Sequence, residues 1–150
     1  MYMEEGIKRA MDTMKKGYGG PFGAVVVKNG EIISVASNTV LLHHDPTAHA
    51  EVNAIRDASY KLGTHNLEGC VLYATGYPCP MCLSAIIWSN IKEVYYGCTK
   101  EDAGNIGFRD DLIYEYLKGN NLNLLNLQPL DRLDCIRLFE DYKKNNKIIY

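Results

Sequence analysis

Two short strings constrain the fold of this chain more than any other feature of its sequence. They are His49-Ala50-Glu51 and Pro78-Cys79-Pro80-Met81-Cys82, in which the first cysteine comes 30 positions after the histidine. One imidazole and two thiols supply three ligands for an ion such as Zn²⁺ and leave the fourth tetrahedral position open to water. A fold that uses these ligands has to bring both strings together, and the open position is typical of a catalytic zinc site.

The string around the histidine is predicted to open a helix. Asp45-Pro46 has the residue types of an N-cap and a first helical position, and the helical pattern continues toward Gly63. Because residues two apart on a helix do not share a face, His49 and Glu51 can converge only near the start of that helix. Glu51 is not needed as a ligand, so it is free to move the protons of the water.

The string around the cysteines is predicted to open a second helix, over Pro80 to Ser89. Proline suits the first helical position, and the three-residue step from Cys79 to Cys82 places both sulfurs on one side of the first turn. The partial positive charge of a helix N-terminus favours the thiolate form, which is the form that binds zinc. We therefore expect two helix N-termini to meet at the metal.

The rest of the pattern predicts an α/β domain spanning residues 1–150. An amphipathic first helix ends near Gly17, and the last helix starts near Asp131. The predicted strands are Phe22 to Val27, Glu31 to Ser37, Val71 to Thr75 and Val94 to Tyr96, with an apolar run over Leu122 to Leu127 and a polar loop over Asn38 to Asp45. Asn29-Gly30 predicts a tight antiparallel hairpin, and the alternation of strand and helix that follows predicts a parallel segment covered by helices.

Composition excludes several classes of function. Sixteen basic and eighteen acidic residues give a net charge of −2, which does not favour an electrostatically driven nucleic-acid binder, so we expect a small-molecule substrate. The first residues carry charges and no signal-like apolar run, and no segment is long enough to span a bilayer. Five cysteines, an odd number, suit a reducing compartment. We expect a cytoplasmic protein that binds neither nucleic acid nor membrane.

Each half of the site also has a simpler interpretation. A Cys-x-x-Cys pair alone could be a redox pair or half of a structural zinc knuckle. A structural site would need a fourth protein ligand, for which Cys70 and Cys98 are the candidates. Both are predicted at strand edges in apolar surroundings, where a buried, unreactive thiol is expected. The redox interpretation also leaves His49 and Glu51 without a role.

From Gly20 to about Tyr114 the chain resembles the cytidine deaminase superfold and, within it, the bacterial guanine deaminases. The strings that carry the resemblance are Gly20-Pro21-Phe22-Gly23-Ala24-Val25-Val26-Val27, Asp45-Pro46-Thr47-Ala48-His49-Ala50-Glu51-Val52, Pro78 to Leu83 with Ala85-Ile86 and Trp88, and Gly107-Phe108 with Asp110 and Ile113-Tyr114. The resemblance implies a three-layer α/β/α fold with a mixed five-stranded sheet, one Zn²⁺ per subunit, and a homodimer whose C-terminal segment crosses to the partner.

The resemblance also implies a role for each site residue. His49, Cys79 and Cys82 would bind zinc, Glu51 would shuttle protons, and Asp110 would be a second proton relay. The purine would be hydrogen-bonded by Asn38, packed on by Phe22 and Trp88, and contacted at its edge by the backbone at Ala50. Tyr150 would close the partner's pocket. Some of these residues have simpler interpretations. Phe22 and Trp88 could fill the core, Asp110 beside Asp111 could be a solvated cap, and Tyr150 could be a frayed chain end.

The activity implied is zinc-dependent hydrolysis of a free purine, guanine plus water giving xanthine and ammonia. Alternatives that stay open are a tRNA adenosine deaminase, a guanosine or cytosine deaminase, and a non-catalytic zinc-binding module. Three positions depart from the family pattern: Tyr77 stands where a glutamate is expected, and Ser84 and Ile87 replace a glycine and an aromatic residue. None of these is a zinc ligand or Glu51, so they bear on the choice of substrate rather than on the type of reaction.

Overall fold

A hairpin begins the central sheet. In the computed structural model, which describes residues 1–145 and 148–150, β1 (Gly23–Lys28) pairs antiparallel with β2 (Glu31–Ser37). Asn29 and Gly30 join them with φ values of 50° and 79°, the left-handed conformation that a tight hairpin turn requires. The predicted hairpin is confirmed, although Phe22 lies one residue before the strand instead of within it.

The sheet is mixed, as predicted. β3 (Cys70–Gly76) pairs antiparallel with β1, and β4 (Glu93–Cys98) pairs parallel with β3, so the strand order is β2-β1-β3-β4. The expected fifth strand is not found among the described residues. The apolar run over Leu122 to Leu127 forms only a 3₁₀ turn at Leu122–Leu124, after Asn121 takes a left-handed φ of 50° that interrupts extended backbone.

Helices connect and cover the strands. Their bounds are α1 (Tyr2–Lys15), α2 (Val40–His43), α3 (Ala50–Leu62), α4 (Pro80–Trp88), α5 (Lys100–Asn105), α6 (Asp111–Leu117) and α7 (Arg132–Asn145). The parallel pair β3 and β4 is joined through α4, which is the crossover that such a pair requires. Within the described residues, no helix is both long enough and apolar enough to span a bilayer.

The sheet lies between two helical layers. Val25 faces α1, where a Cβ built on Gly6 would lie 3.5 Å from the valine. Val26 points to the opposite face, because successive residues of a strand alternate, and it belongs to a buried cluster with Ala54 of α3, Leu72 of β3 and Ile86 of α4. The small alanines of α3 let this helix pack closely on the sheet, and this packing fixes the position of its first residue, Ala50, relative to the strands.

Two predicted boundaries need correction. The helix that carries Glu51 begins at Ala50 and not at Pro46, because Asp45 Oδ1 accepts hydrogen bonds from the Thr47 N–H and hydroxyl and holds these residues in a turn. The loop predicted over Asn38 to Asp45 contains the short helix α2.

The chain divides into two compact units, Met1–Asp111 and Leu112–Tyr150. The first unit contains the whole sheet, α1 to α5 and both strings of the predicted zinc site. The second contains most of α6, the 3₁₀ turn and α7, and nearly all of its described residues are exposed.

Candidate active site

The predicted metal ligands meet at the starts of two helices. His49 is the N-cap of α3 and Cys79 the N-cap of α4, with ψ values of 155° and 169°. Neither side chain caps its own helix. Each turns toward the other instead, and Cys82, in the first turn of α4, completes the group.

The geometry of the three ligand atoms fits zinc. His49 Nδ1 lies 3.5 Å from Cys79 Sγ and 3.6 Å from Cys82 Sγ. Bond lengths of about 2.05 Å for Zn–N and about 2.3 Å for Zn–S at tetrahedral angles place a nitrogen and a sulfur ligand roughly 3.6 Å apart. In the described part of the chain the group has these three members, so a tetrahedral ion bound here keeps one position for a non-protein ligand.

The pKa values of the two cysteine thiols, Cys79 and Cys82, are shifted in opposite directions. The hydrogen bond from Cys82, together with His49, lowers the pKa of Cys79 to about 4. The same hydrogen bond and burial raise the pKa of Cys82. The hydrogen bond to Cys79 raises the pKa of His49. One thiolate is therefore already present near neutral pH, and metal binding has to displace the proton of the other thiol.

Glu51 stands beside these ligands. It is the second residue of α3 and is only 7% exposed. Burial raises the pKa of its carboxyl group, with a hydrogen bond from Cys82 acting in the opposite direction. A buried carboxyl group with a raised pKa is suited to accept and return protons.

A cavity of about 680 Å³ opens onto the ligand group. Its lining includes four of the predicted substrate or proton-transfer residues, Phe22, Asn38, Glu51 and Asp110, together with the predicted ligands His49 and Cys79. All of the residues that line it belong to the first unit. The structure thus brings together, in one pocket, residues as far apart in the chain as Phe22 and Asp110.

Two phenylalanines form one wall of this pocket. Phe22 and Phe108 meet edge to face, with ring centroids 5.0 Å apart and planes at 88°. A Cβ at Gly20 would lie 3.0 Å from Phe108 Cζ and 3.1 Å from Phe22 Cε2, so the pair closes over a glycine. The motif Gly107-Phe108 was part of the resemblance, but nothing in the local sequence indicated that Phe108 would contact Phe22.

The amide of Asn38 is oriented by its surroundings. The side-chain Oδ1 accepts a hydrogen bond of 3.1 Å from the Val40 N–H, and the backbone N–H of Asn38 donates to Phe22 O at 3.0 Å. Gly19 passes so close that a Cβ there would lie 2.4 Å from Asn38 Oδ1. With the oxygen engaged, the Nδ2 amide group is the one available to donate to a ligand in the pocket.

Asp110 lies at the pocket among charged neighbours. Burial raises the pKa of its carboxyl group, and Lys100 acts in the opposite direction. Lys100 and Arg109 also line the pocket, and Arg109 lies 3.6 Å from Asp111. The predicted proton relay therefore faces the cavity, whereas these two cations are pocket residues that the sequence pattern did not single out.

Tyr77 stands at the position where the resemblance predicted a glutamate. Its ring meets Tyr96 edge to face at 4.9 Å, and the Lys100 ammonium lies 5.3 Å from its centroid. The Tyr77 N–H donates to Cys98 O at 2.8 Å and so extends the pairing of β3 with β4. The phenol is thus part of the pocket wall, held by aromatic and cation–π contacts.

Three predicted substrate residues do not line this pocket. Trp88, at the end of α4, is 71% exposed and lies outside the pocket, because the metal ligands occupy the opposite end of that helix. Ala50 is fully buried between His49 and Glu51 and is not among the lining residues. Tyr150 belongs to the second unit and is 78% exposed.

The other cysteines and histidines of the first unit are not part of the ligand group. Cys70 is buried, as expected, and burial raises the pKa of its thiol. Cys98 is exposed, and the expectation that it would be buried is wrong, because it ends an edge strand most of whose residues face outward. His43, His44 and His65 are exposed, as expected.

Comparison with known proteins gives concordant matches. A family model described as the cytidine and deoxycytidylate deaminase zinc-binding region matches residues 1–98. A guanine deaminase of Bacillus subtilis (strain 168) is 46% identical over 114 residues, which span 76% of this chain and 73% of that protein. A tRNA-specific adenosine deaminase of Aquifex aeolicus (strain VF5) is 42% identical over 105 residues, 70% of this chain and 69% of that protein. The X-ray structure of guanine deaminase from Bacillus subtilis superposes with a TM-score of 0.90 at 35% identity, covering 99% of this chain and 96% of that one.

Proposed function

The chain belongs to the cytidine and deoxycytidylate deaminase family, and we propose on this basis that it is a zinc-dependent aminohydrolase that converts guanine and water to xanthine and ammonia. The observation that carries the proposal is the three-ligand group beside a buried carboxyl group at the end of a pocket. The similarity to a guanine deaminase over nearly the whole chain supports guanine as the substrate.

His49, Cys79 and Cys82 are the residues that would hold one zinc ion per subunit. Bound zinc supplies Lewis acidity, which lowers the pKa of a coordinated water from about 15.7 toward ~7. The three-ligand set leaves a position for that water, which separates this site from a structural site with four protein ligands.

Glu51 carries the protons in the proposed reaction. Its carboxylate removes a proton from the attacking water and delivers it to the purine ring nitrogen next to the carbon that bears the amino group. After the water oxygen has bonded to that carbon, Glu51 takes the remaining proton from this oxygen and passes it to the amino group, which leaves as ammonia while the new carbonyl group forms. The raised pKa of the buried carboxyl group suits a residue that is alternately base and acid.

Asp110 is proposed as the second proton relay, near the departing amino group. Its place in the pocket lining and its raised pKa support this role over that of a solvated cap. Asp110 faces the same cavity as Glu51, so two carboxyl groups border the space where the amino group is lost.

The pocket walls fit a flat heterocycle. Phe22 and Phe108 offer an aromatic wall, and the Nδ2 amide of Asn38 offers a donor for an acceptor atom on the edge of the purine. The backbone at Ala50, between His49 and Glu51, is proposed to contact the edge of the base. The chain's own Trp88 lies outside this pocket, so we do not place it on the face of a base bound there.

A tRNA adenosine deaminase is the second candidate, because a protein with that activity is 42% identical. The net charge of −2 does not favour it, since a tRNA-binding surface neutralises phosphates with Lys and Arg. Deamination of guanosine or cytosine would use the same chemistry, on a guanine ring that carries a ribose or on a pyrimidine ring.

We also propose a homodimer in which Tyr150 closes the partner's pocket, in a cytoplasmic protein. Large apolar side chains that are exposed along the second unit support association with a second copy, and they include Leu127, Leu130, Leu133, Phe139 and Ile149. Five free cysteines support a reducing compartment.

The decisive experiment measures ammonia release by the zinc-loaded protein from guanine, guanosine, adenine, cytosine and a tRNA anticodon stem-loop. We expect turnover of guanine. Turnover of the stem-loop with a steep dependence on salt would support the tRNA deaminase instead. Zinc-loaded protein that acts on none of the five compounds would contradict the proposed substrate and favour a non-catalytic metal site.

A further inference from the structure

Asn53 links two separate parts of the site. It lies one helical turn after His49, and its backbone N–H donates to His49 O at 2.9 Å. Its side-chain Nδ2 lies within hydrogen-bond distance of three acceptors: 2.9 Å from Ser37 O, 2.9 Å from Thr39 Oγ1 and 3.3 Å from Ala48 O. One amide group therefore serves three acceptors from two segments of the chain.

The positions of these acceptors are informative. Ser37 and Thr39 flank Asn38, which presents its amide to the pocket, and Ala48 immediately precedes the metal ligand His49. The Thr39 N–H also donates to Ala48 O at 3.0 Å, so the two segments already touch where the Asn53 amide reaches them. A loop that contains α2 separates these segments in the chain. Without such links the distance between Asn38 and His49 would depend on that loop.

We propose that Asn53 is a positioning residue that holds the substrate-binding amide of Asn38 in register with the metal ligand His49. The inference rests on the proposed function, because it takes Asn38 as a purine contact. Asn53 does not line the pocket that holds the site and touches no reacting atom. It acts through the backbone of Ser37 and Ala48, which adjoin Asn38 and His49 in the chain. Loss of its donor removes the side-chain link between the two segments; the Thr39 N–H still donates to Ala48 O, but the ends of both segments are less firmly held and shift.

The first test compares Asn53→Ala with Asp57→Asn. Asp57 lies one turn further along α3, is paired with Lys61 at 2.7 Å and is partly exposed, so its substitution controls for a change of side chain on the same helix. For Asn53→Ala we expect KM for guanine to rise roughly tenfold, more than kcat falls, and zinc to pass faster to a chelator. A residue with only a structural role would lower the melting temperature but leave KM and zinc release of the folded protein unchanged.

Thr39→Val provides a second route if Asn53→Ala folds poorly. It removes one of the three acceptors while keeping the shape of the side chain, and we expect a smaller rise in KM. In the double variant the effects should be less than multiplicative, because both substitutions act on one hydrogen bond. Since the Thr39 hydroxyl also contacts His43 Nδ1 at 3.0 Å, His43→Ala measures that contribution separately.

The outcomes separate the two proposals. Parental KM and parental zinc release in both Asn53→Ala and Thr39→Val overturn the positioning role. If the parent protein itself fails to turn over guanine, the proposed function falls, and zinc release still decides whether Asn53 holds the segment that leads to His49. Faster zinc release in both variants, with Asp57→Asn like the parent, then supports that part of the inference.

Discussion

His49 and Cys79 occupy helix N-cap positions without capping their helices, and this frees their side chains for a ligand between the two N-termini. The residue next to each of them adds a different property. Ala50 is small enough to be fully buried, and Pro80 has no N–H to satisfy at the first helical position. At the scale of single residues, the metal-binding side chains are therefore positioned by backbone sites that few residue types can occupy.

Glu51→Gln is expected to remove activity without removing the metal. The amide has the shape of the carboxyl group but cannot accept and return a proton, so kcat for guanine should fall by a factor of about 10²–10⁴. Zinc content, measured by atomic absorption, should match that of the parent, because Glu51 is outside the ligand group. Full activity with zinc in place would show that Glu51 is not the proton shuttle.

The zinc-free protein is expected to react with iodoacetamide at Cys79 well below pH 8. The hydrogen bond from Cys82 lowers the pKa of Cys79 to about 4, so the reactive thiolate is present above that pH and is lost as the pH falls toward it. Burial raises the pKa of Cys70, so Cys70 should stay unlabelled under the same conditions.

Peptide mass mapping after labelling at a series of pH values identifies the modified cysteine, and added zinc should protect it. Labelling of Cys79 that increases only above pH 8 would contradict the lowered pKa.

At the scale of elements, the site depends on where strands and helices end. β2 ends at Ser37, directly before Asn38, and α3 begins directly after His49. β3 ends at Gly76, next to Tyr77, and α4 begins directly after Cys79. Functional side chains thus follow the ends of β2 and β3 and lie at the starts of the helices. A change that moves one of these ends by a few tenths of an ångström moves a site residue with it.

Gly19→Ala is expected to disturb Asn38 through such an end. A Cβ at this position would lie 2.2 Å from Asn38 O and 2.4 Å from its Oδ1, and backbone atoms cannot yield as a flexible side chain can. We expect KM for guanine to rise and the free energy of unfolding to fall by about 1–3 kcal/mol.

Gly104→Ala is the matched control. Gly104 lies within α5, and the nearest atoms to a Cβ there belong to the flexible side chain of Arg109, with Nη1 the closest at 3.4 Å. Steady-state kinetics and urea unfolding of both variants make the comparison. A parental KM in Gly19→Ala would show that the close approach of Gly19 does not control Asn38.

At the scale of the whole molecule, the two units differ in how their apolar residues are placed. The first unit buries its apolar side chains between a sheet and two helical layers. In the second, α7 has no buried residue, and leucines before and within it are exposed, among them Leu127 at 78%, Leu130 at 81% and Leu133 at 73%. Apolar surface of this extent is expected to be covered by another chain.

Light scattering at micromolar concentration should therefore give twice the mass of one chain. Tyr150→Ala should raise KM if the tyrosine closes the partner's pocket.

Mixing subunits tests whether that contact is made between chains. A heterodimer of Glu51→Gln and Tyr150→Ala chains would contain one site with both defects and one with neither, so mixing should restore parental KM in half of the sites. A monomer in light scattering, or no restoration on mixing, would contradict the exchange.

Much of the fold could be predicted because its determinants are local. Asn29-Gly30 specified the hairpin, Pro80 marked the start of α4, and the alternation of strand and helix indicated the parallel pair β3 and β4. The start of α3 was missed because Asp45, which resembles an N-cap, bonds to Thr47 in a turn instead. Both roles use the same carboxylate, and only the surrounding backbone decides between them.

The sequence by itself determined the chemistry of the metal site, because ligand type, ligand number and the spacing at helix starts are written in two short strings. It also indicated Glu51, since that residue lies beside a ligand on the same turn. Only the tertiary structure decided what surrounds the metal. The contacts that decided this join distant positions: Phe108 with Phe22, Lys100 with Tyr77, and Asn53 with Ser37 and Thr39. Such contacts depend on how strands and helices pack, and packing is a property of the whole fold that no local pattern contains.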